Sequence, residues 1–322
     1  MSQPLKSEVQ DGLEAWLAAA GFPLCEPRPL PGDVSPRRYT RLVGADGGSA
    51  ILATYPPEIR GTCARFLRTT ELLEQAGVPV PRVLAADCDE GWMLVEDLGP
   101  QTLAEWGRGR PWSELQPYFE RALELADRIG RIPLASLDGL NPRLDGALLR
   151  KELAQTWDLF LQPRGLTGGE PLTRALSAAL DAICANLDAD APISCHRDFM
   201  VRNLMPADGL IVLDHQDLRP GPPAYDLASL LNDTLFPPPQ MEEELLSRTA
   251  VDRVSYHRAA AQRTLKAVGT YTSFALRGAD RHLPLVPPTL GRCLAHLARV
   301  PESAPLVSDL AAAWAAVLGS EH

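Results

Sequence analysis

"CHRDFMVRNLM", residues 195–205, decides the fold of this 322-residue chain. The stretch places Asp198 five positions before Asn203, in the spacing H-R-D-x-x-x-x-N. In phosphoryl transfer, an aspartate at this place accepts the proton of the acceptor hydroxyl, and the asparagine offers a neutral oxygen to Mg²⁺. The same side chains could instead satisfy backbone groups in a turn, because Asp and Asn are common turn residues. The flanking sequence distinguishes these two interpretations.

The apolar run "GLIVLD" follows the motif and ends at Asp214, 16 residues after Asp198. Together with the apolar run "PISC" before the motif, it predicts a β-loop-β unit with carboxylates at its tips. Mg²⁺ prefers oxygen ligands, so Asp214 and Asn203 are the predicted metal ligands. Asp226 in "AYDLASLL" is interpreted as the N-cap of the next helix, although such a cap can also brace the catalytic loop. The combination favours a phosphotransferase over a chance match.

Length and composition are typical of an enzyme-sized globular protein with room for two lobes. The net charge of −10 argues against nucleic acid or an anionic membrane as partner. Six scattered cysteines without a C-x-x-C pair predict reduced thiols, not a zinc site or a disulfide framework. No secretory signal and no bilayer-spanning apolar run is apparent in the sequence. We therefore expect a cytoplasmic monomer that acts on a small molecule.

Strand and helix patterns divide the chain near residue 98. The runs "RRYTRLVG" and "SAILATYPP" predict a hairpin, "TCARFLRTTELLEQAG" predicts an amphipathic helix, and "PRVLAAD" and "GWMLVEDLG" predict two more strands. After Thr102 the periodicity is helical except around the motif. The sequence therefore predicts an α+β fold of two lobes. Its N-lobe, residues 1–98, would carry a small mixed β-sheet, and its mainly helical C-lobe, residues 99–322, would carry the catalytic, metal and substrate sites.

Several stretches together carry a family resemblance. "CHRDFMVRNLM", "LIVLDHQDLRPGPPAYDLASLLND", "SPRRYTRL" and "MLVEDLG" resemble the aminoglycoside/choline phosphotransferase superfamily, which has the protein-kinase fold. Within it, the chain looks most like the bacterial anomeric kinases that phosphorylate N-acetylmuramate and N-acetylglucosamine at O1, and the similarity extends through "LLRKELAQTWDLFL" and "AAQRTLKAVGTYTSFALRGADRHLP". The resemblance implies ATP and Mg²⁺ as cofactors, Asp198 as the base, and Asn203 and Asp214 as metal ligands.

The nucleotide-binding lobe departs from a typical kinase, because it has no G-x-G-x-x-G loop and no lysine on "SAILATYPP". By resemblance to the polar loop of the sugar kinases, Ser35 in "GDVSPRRYTRL" would face phosphate. Either Arg38 or Arg41 is expected to reach inward, since a guanidinium can clamp phosphate bidentately, and a solvated strand face is the alternative. "WMLVEDLG" resembles the hinge strand, so Glu96, Asp97 and the backbone around Leu98 are expected to present hydrogen-bond donors and acceptors to adenine.

Four further side chains are candidates for the acceptor sugar: Arg202, Asp217, Glu152 and Trp157. Arg202 and Asp217 lie beside the core positions and could bind hydroxyls or a carboxylate, or form a solvated surface pair. Glu152 and Trp157 would supply a carboxylate and an aromatic wall, although a tryptophan at helical spacing is more often part of a core.

The sequence and its resemblance predict transfer of the γ-phosphoryl group of ATP to the anomeric hydroxyl of N-acetylmuramate, N-acetylglucosamine or a related hexose, for cell-wall sugar recycling. One alternative is a kinase of the same fold that acts on another hexose, an aminoglycoside or a choline-like amine. Another is a nucleotide-binding pseudokinase scaffold, because the strand lysine is missing. Retention of the base and both metal ligands argues against the scaffold.

Overall fold

The computed structural model describes residues 4–23, 25–30, 36–44, 47–207 and 209–319, with residues 4–11 described by their backbone alone. Contacts within the chain divide it into two compact units. The first unit comprises Met1–Glu71 and Pro79–Pro100, and the second comprises Leu72–Val78 and Gln101–His322. The lobe boundary predicted after residue 98 lies near the end of the first unit.

The strands are β1 (Glu26–Pro29), β2 (Arg38–Val43), β3 (Ser49–Thr54), β4 (Val83–Asp87), β5 (Trp92–Glu96), β6 (Ile193–Cys195), β7 (Leu204–Met205), β8 (Ile211–Val212) and β9 (Arg219–Gly221). The helices are α1 (Pro4–Ala19), α2 (Gly61–Gln75), α3 (Leu103–Trp106), α4 (Trp112–Gly130), α5 (Gly146–Thr156), α6 (Glu170–Ala189), α7 (Tyr225–Leu231), α8 (Pro239–Ser247), α9 (Arg253–Leu276), α10 (Val286–Leu297) and α11 (Val307–Leu318). A π-helical turn, Trp157–Leu161, continues α5. Among the described helices, none combines the length and apolar character needed to cross a membrane.

The first unit contains a five-stranded sheet in the order β1-β2-β3-β5-β4. The predicted β2–β3 hairpin, the helix after it and the β4–β5 pair are confirmed. Strand β1 was not predicted, because Pro27 and Pro29 within it read as a loop. The structure places β1 at the edge of the sheet, where a missing backbone N–H removes fewer sheet hydrogen bonds than it would in a central strand.

The sheet is antiparallel throughout, which corrects the expected mixed sheet. Helix α2 connects β3 to β4, and a direct β3–β4 pair after such a crossover would be parallel. Strand β5 lies between these two strands and is antiparallel to both. The crossover therefore leaves no parallel neighbours in the sheet.

Both faces of this sheet are covered by apolar side chains. On one face Leu42 and Leu94 pack with Leu17 of α1, and on the other Met93 packs with Phe66 of α2. Because successive strand residues point to opposite faces, Met93 and Leu94 enter different cores. Burial of both faces fixes the register of the sheet.

Helix α2 also carries Cys63, whose sulfur is joined to that of Cys88 in a disulfide, with the Cα atoms 5.5 Å apart. This pairing corrects the expectation of reduced thiols for these two residues. The sequence did not predict this disulfide, because the two cysteines are 25 residues apart and meet only where α2 packs beside the β4–β5 turn. Among the described cysteines, Cys25, Cys184, Cys195 and Cys293 are free.

The second unit is built around α9, which packs against α5, α6, α7 and α10. Most of its side chains are buried, including the polar Gln262, Arg263 and Thr264. Gly269 allows a close approach to α5, because a Cβ atom there would lie 2.7 Å from the backbone nitrogen of Thr156. Helices α5 and α9 are thereby held together beneath the catalytic loop.

The two apolar runs that flank the motif are strands, as predicted, but they belong to different sheets. Strand β6 pairs with β9, and β8 pairs with β7. The sequence did not show this, because β7 and β9 are only two and three residues long and carry no recognisable pattern. The catalytic loop therefore lies between two small antiparallel ladders.

Candidate active site

The catalytic loop begins directly after β6 and has a constrained backbone. Among the described non-glycine residues, three have positive φ, and two of them are Arg197 at 75° and Asp214 at 57°. Side chains other than glycine rarely adopt this region, and such residues cluster at functional sites when the surroundings hold them in place. The strained positions are therefore the residue before the predicted base and the predicted metal carboxylate itself.

Asp226 supplies one of the contacts that hold the loop. Its carboxylate accepts hydrogen bonds from the backbone amides of His196 at 2.6 Å and Arg197 at 2.9 Å. The preferred interpretation of Asp226 as a helix cap is wrong, because Ala224 occupies the N-cap of α7 and makes no side-chain cap. Asp226 lies within the first turn, where its side chain braces the loop instead.

His196 ties the loop to the segment that carries the metal carboxylate. Its ring is buried, and Nε2 lies 2.9 Å from the carbonyl oxygen of Leu213. The edge of the ring meets Phe199, with the ring centres 5.7 Å apart. Asp214 directly follows Leu213, so this contact fixes one flank of the site relative to the other.

The structure brings the predicted base and both predicted metal ligands together. The side-chain amide of Asn203 donates to the backbone carbonyl of Asp198 at 2.9 Å, and the backbone carbonyl of Asn203 accepts from Leu213 at 2.8 Å. Gln216 donates to Asp214 Oδ1 at 3.1 Å. Since the amide nitrogen of Asn203 is engaged, its Oδ1 remains the group suited to a cation.

This donor set fits Mg²⁺. The ion is usually held by one or two protein oxygens, and phosphate and water oxygens supply the remainder of an octahedron. Asn203 Oδ1 and the carboxylate of Asp214 are oxygens of this kind. Among the described residues, no group of three or more His, Cys, Asp and Glu side chains is placed to hold a metal ion. A two-ligand site completed by phosphate is therefore the arrangement that the residues suit.

Asp198 is surrounded by positive charge. About a quarter of its side chain is exposed, 23%, and Arg263 Nη2 lies 3.4 Å from its Oδ1. Burial alone would raise the pKa of Asp198, but the charges of Lys266, Arg197 and Arg263 outweigh that effect and hold the pKa well below its ordinary value. The carboxylate is therefore ionised at neutral pH and can accept a hydrogen bond from an incoming hydroxyl.

A network of ion pairs connects this loop to helices α5 and α9. Glu152 Oε1 lies 2.8 Å from Arg197 Nη2 and 2.9 Å from Lys266 Nζ. Arg197 Nη1 in turn lies 2.7 Å from Asp217, which is 30% exposed. The structure thus brings Glu152 and Asp217, two of the predicted sugar contacts, together around the arginine that precedes the base.

Arg202 and Asp217 do not form the surface pair that was considered as an alternative. Arg202 lies 2.7 Å from Asp233, whose side chain is 1% exposed, and its guanidinium is 5.8 Å from the ring centre of Tyr271. The Arg202 side chain is still 27% exposed, so part of it is accessible. Each side chain of the considered pair therefore has a different partner within the second unit.

The contacts described for Trp157, like those of Arg202, lie outside this network. Trp157 begins the π-helical turn after α5, and the guanidinium of Arg150 lies 5.9 Å from its ring centre. Arg150 itself pairs with Asp181 of α6. The contacts described for Trp157 therefore belong to the α5–α6 side of the unit.

Three residues at the site escaped the motif analysis: Arg263, Lys266 and Asp233. They come from α9 and from the segment that follows α7, and each lies 30 or more residues after Asn203 in sequence. A signal was present, because Arg263 and Lys266 are charged residues within the mostly apolar and small-residue middle of α9, residues 259–269. A buried charge is costly unless it is paired, so such residues indicate a polar partner.

The predicted nucleotide contacts lie in the first unit. Ser35 lies outside the described residues. Arg41 donates to both oxygens of Asp97, at 2.6 and 3.0 Å, and to the carbonyl of Gly99 at 2.9 Å. The side chain of Asp97 is 6% exposed, so this bidentate pair is largely shielded from water. The guanidinium of Arg41 thus has a structural partner.

Arg38 is exposed and lies on the opposite strand face from Arg41. It lines a cavity of about 960 Å³ together with Arg37 and Arg60. Arg60, which the sequence analysis did not single out, also donates to the carbonyl of Asp89. Three arginines that line one cavity make an environment suited to phosphate.

The predicted adenine contacts are Glu96 and Leu98 at the end of β5. The carboxylate of Glu96 accepts a hydrogen bond from the backbone amide of Arg82 at 2.8 Å and lies 3.6 Å from its guanidinium. Leu98 is partly exposed. Neither role is tested by these contacts, and both stay predictions.

Comparison with known proteins identifies the family. Residues 26–263 match the phosphotransferase enzyme family, APH. The chain belongs to this family. The phosphotransferase is 33% identical over 314 residues to a protein of Pseudomonas aeruginosa named N-acetylmuramate/N-acetylglucosamine kinase, covering 90% of this chain and 89% of that relative. It is 30% identical over 320 residues to a protein of the same name from Neisseria meningitidis, covering 90% of each.

Solved structures confirm the fold of the phosphotransferase. Choline kinase LicA from Streptococcus pneumoniae superposes with a TM-score of 0.60 at 14% identity, covering 94% of this chain and 99% of that one. LicA in complex with AMP gives a TM-score of 0.61 at 15% identity, covering 89% and 98%. At such low identity the likeness concerns the fold, and it confirms the predicted kinase-like α+β architecture.

Proposed function

We propose that this phosphotransferase transfers the γ-phosphoryl group of ATP to the anomeric hydroxyl of N-acetylmuramate or N-acetylglucosamine, producing the sugar 1-phosphate. The observation that carries the proposal is a pair of hydrogen bonds, from the Asn203 side chain to the carbonyl of Asp198 and from the amide of Leu213, which precedes Asp214, to the carbonyl of Asn203. The names of the curated relatives support the acceptor. We further propose that the protein is a cytoplasmic monomer and that its product is used in cell-wall sugar recycling.

Asp198 acts as the base in this reaction. Its ionised carboxylate accepts the proton of the anomeric hydroxyl while the sugar oxygen forms a bond to the γ-phosphorus, and the bond from that phosphorus to ADP breaks. Asn203 and Asp214 would hold Mg²⁺, which would neutralise charge on the phosphates. General-base help of this kind is worth about 10²–10⁴ in rate.

The acceptor would lie against the exposed parts of the network around Arg197. Asp217 is well suited to a sugar hydroxyl, because it is partly exposed and one oxygen is held 2.7 Å from Arg197. Glu152 is paired with Arg197, and Arg202 is paired with Asp233. These two side chains would therefore contact the sugar less directly or orient the residues that bind it. Trp157 stays a prediction.

The nucleotide would be bound by residues of the first unit. We assign the phosphates to Arg38, because Arg41 is bidentately paired with Asp97 whereas Arg38 lines a cavity with two further arginines. Ser35 and the hinge residues Glu96 and Leu98 remain the proposed contacts for the phosphate loop and adenine. Guanidinium groups would thereby take over the charge neutralisation that a strand lysine usually supplies.

An acceptor panel tests the proposal. Purified protein with ATP and Mg²⁺ should turn over N-acetylmuramate or N-acetylglucosamine with a kcat/KM about 100-fold above that for choline or an aminoglycoside, since a site built for sugar hydroxyls rejects ligands that leave them unpaired. The methyl glycoside of N-acetylglucosamine is the matched control, because its anomeric oxygen carries no proton. Phosphorylation of that glycoside, or preference for a cationic acceptor, would overturn the proposed acceptor.

A further inference from the structure

Lys266 is a lysine in an unusual environment. The sequence contains only three lysines, Lys6, Lys151 and Lys266. The side chain of Lys266 is 13% exposed, and its ammonium lies 2.9 Å from Glu152 Oε1. Burying an ammonium is unfavourable unless opposite charge compensates for it. Burial lowers the pKa of Lys266, and the neighbouring charges of Asp198 and Glu152 oppose that effect.

The position of Lys266 on α9 directs it toward the catalytic loop. Arg263 lies three residues earlier on the helix, so the two cations share one face. Arg263 Nη2 is 3.4 Å from Asp198 Oδ1. The charges of Lys266, Arg197 and Arg263 all favour the ionised form of Asp198 and lower its pKa. Helix α9 therefore presents two positive charges to a single carboxylate.

Glu152 links Lys266 to the loop as well as neutralising it. The same oxygen, Oε1, contacts Lys266 Nζ at 2.9 Å and Arg197 Nη2 at 2.8 Å. Arg197 directly precedes Asp198 and has a positive φ of 75°. A change at Lys266 can thus reach the base both through its charge and through the position of Arg197.

We propose that Lys266 is a positioning residue for phosphoryl transfer. Its ammonium, anchored by Glu152, offsets the repulsion between the Asp198 carboxylate and an anionic phosphoryl group, and it holds that carboxylate in place through Glu152 and Arg197. The inference rests on the proposed function, because it assumes that Asp198 meets a phosphoryl group during turnover. No motif in the catalytic loop singles out Lys266, and the residue lies 68 positions after the base.

The competing explanation is that Lys266 only neutralises buried Glu152. A double-mutant cycle of Lys266→Met and Glu152→Gln separates the two, because the double variant removes both members of the pair and leaves neither charge unpaired. If Lys266 serves Glu152 alone, its removal has no further effect once Glu152 is neutral. If Lys266 serves Asp198, its removal slows turnover in both backgrounds.

The experiment measures kcat, the KM for ATP and urea unfolding for wild type, both single variants and the double variant. Lys266→Met is expected to lower kcat about 100-fold in the wild-type background and about 10-fold in the Glu152→Gln background, where only the effect of its charge remains, with the KM for ATP changed less than about threefold. Lys266→Arg should restore kcat to within about tenfold of wild type, because the charge is retained. Lys151→Met, at an exposed position of α5, is the matched control and should leave kcat unchanged.

A double variant as fast as Glu152→Gln alone would overturn the inference, and so would unchanged kcat in Lys266→Met. If Lys266→Met fails to fold, the comparison of the double variant with Glu152→Gln decides between the two roles. Wild-type protein that phosphorylates no sugar would overturn the proposed function instead, so the two failures are distinguishable.

Discussion

The carboxylate of Asp226 accepts a hydrogen bond of 2.6 Å from the backbone amide of His196, where the catalytic loop leaves β6. The next amide, that of Arg197, reaches the other oxygen at 2.9 Å. Two consecutive amides can point at one carboxylate because the backbone turns into the left-handed region at Arg197. The first turn of α7 thereby sets the course of the chain that carries the base.

Asp226→Asn should weaken both the loop and the fold. The amide side chain offers one acceptor oxygen, so its NH₂ group would face one of the two backbone amides. We expect the free energy of unfolding to fall by about 1.5–3 kcal/mol, as for hydrogen bonds to charged groups, and kcat to fall as the loop relaxes. Urea unfolding and steady-state kinetics measure the two effects. Unchanged kcat and stability would contradict the bracing role.

The same carboxyl group predicts a pH dependence. Burial raises the pKa of Asp226 to about 6, although the charge of His196 and the two backbone hydrogen bonds oppose the increase. Protonation removes one of the two acceptors, so kcat should decrease as the pH falls below about 6. The acidic limb should disappear in Asp226→Asn, and its persistence with an unchanged midpoint would assign it to another group.

The contribution of Asp226 to stability should change with pH in the opposite direction to kcat. Unfolded aspartates titrate near pH 4, so between about pH 4 and 6 the folded protein binds a proton that the unfolded chain has released. The contribution of Asp226 to the free energy of unfolding therefore decreases as the pH rises through that window and is constant above it. Subtracting the pH profile of Asp226→Asn from that of wild type isolates this contribution.

Arg38 and Arg41 should differ in what their replacement affects. Arg38→Gln is expected to raise the KM for ATP about tenfold or more, since a charge-assisted phosphate contact is lost, with little change in stability. Arg41→Gln leaves the shielded carboxylate of Asp97 without its cation, so it should lower the free energy of unfolding by about 1–3 kcal/mol. Nucleotide titration and urea unfolding distinguish the two variants. Equal effects on ATP binding would contradict the assignment to Arg38.

Packing between α5 and α9 yields a stability prediction independent of function. In Gly269→Ala the new methyl group would lie 2.7 Å from the backbone of Thr156, which cannot move without shifting α5. Overpacking of this kind costs about 1–3 kcal/mol.

Gly291→Ala in α10 is the matched control, because its nearest neighbour would be the side chain of Leu318 at 3.8 Å. The control should be neutral or stabilising by about 0.5–1 kcal/mol. Equal urea midpoints for the two variants would contradict the close approach.

The disulfide between Cys63 and Cys88 predicts redox-dependent stability of the first unit. Cys88→Ser should lower the free energy of unfolding under oxidising conditions by about 2–4 kcal/mol and have little effect in dithiothreitol. Cys25→Ser, which replaces a free thiol of the same unit, is the control and should show no such dependence. Thiol titration of the untreated protein checks the bond directly. Two reactive thiols at Cys63 and Cys88, with no response to dithiothreitol, would contradict the pairing.

The sequence could predict the parts of the site that are local. Asp198 and Asn203 lie within one loop, and Asp214 ends the apolar run that follows this loop. The spacing of these residues is therefore sufficient to predict all three as site residues. The hairpin β2–β3 and the α2 crossover were likewise visible, because alternation and helical periodicity are short-range patterns. Local signals suffice where neighbouring residues in sequence do the chemistry.

The remainder of the site depends on tertiary packing that no local pattern records. Glu152 was a candidate from the sequence, but its pairing with Arg197, 45 residues later, was not, and Lys266 joins the site only because α9 packs against α5. The role of Asp226 was misjudged for the same reason, since an aspartate at the start of a helix has the same sequence context whether it caps that helix or braces a distant loop. Strand β1 was not predicted, because its two prolines are more typical of a loop. An edge strand tolerates them, since the N–H donors that they lack are not needed there.

Phosphorus NMR of the product formed from N-acetylglucosamine, ATP and Mg²⁺ tests the central claim most directly, with wild type and Asp198→Asn compared side by side. We predict a phosphate signal coupled to the anomeric proton with wild type. With Asp198→Asn the rate should fall about 10²–10⁴-fold while ATP still binds, because only the base has been removed. A phosphate coupled to any other sugar proton, or an Asp198→Asn variant as fast as wild type, would contradict the account.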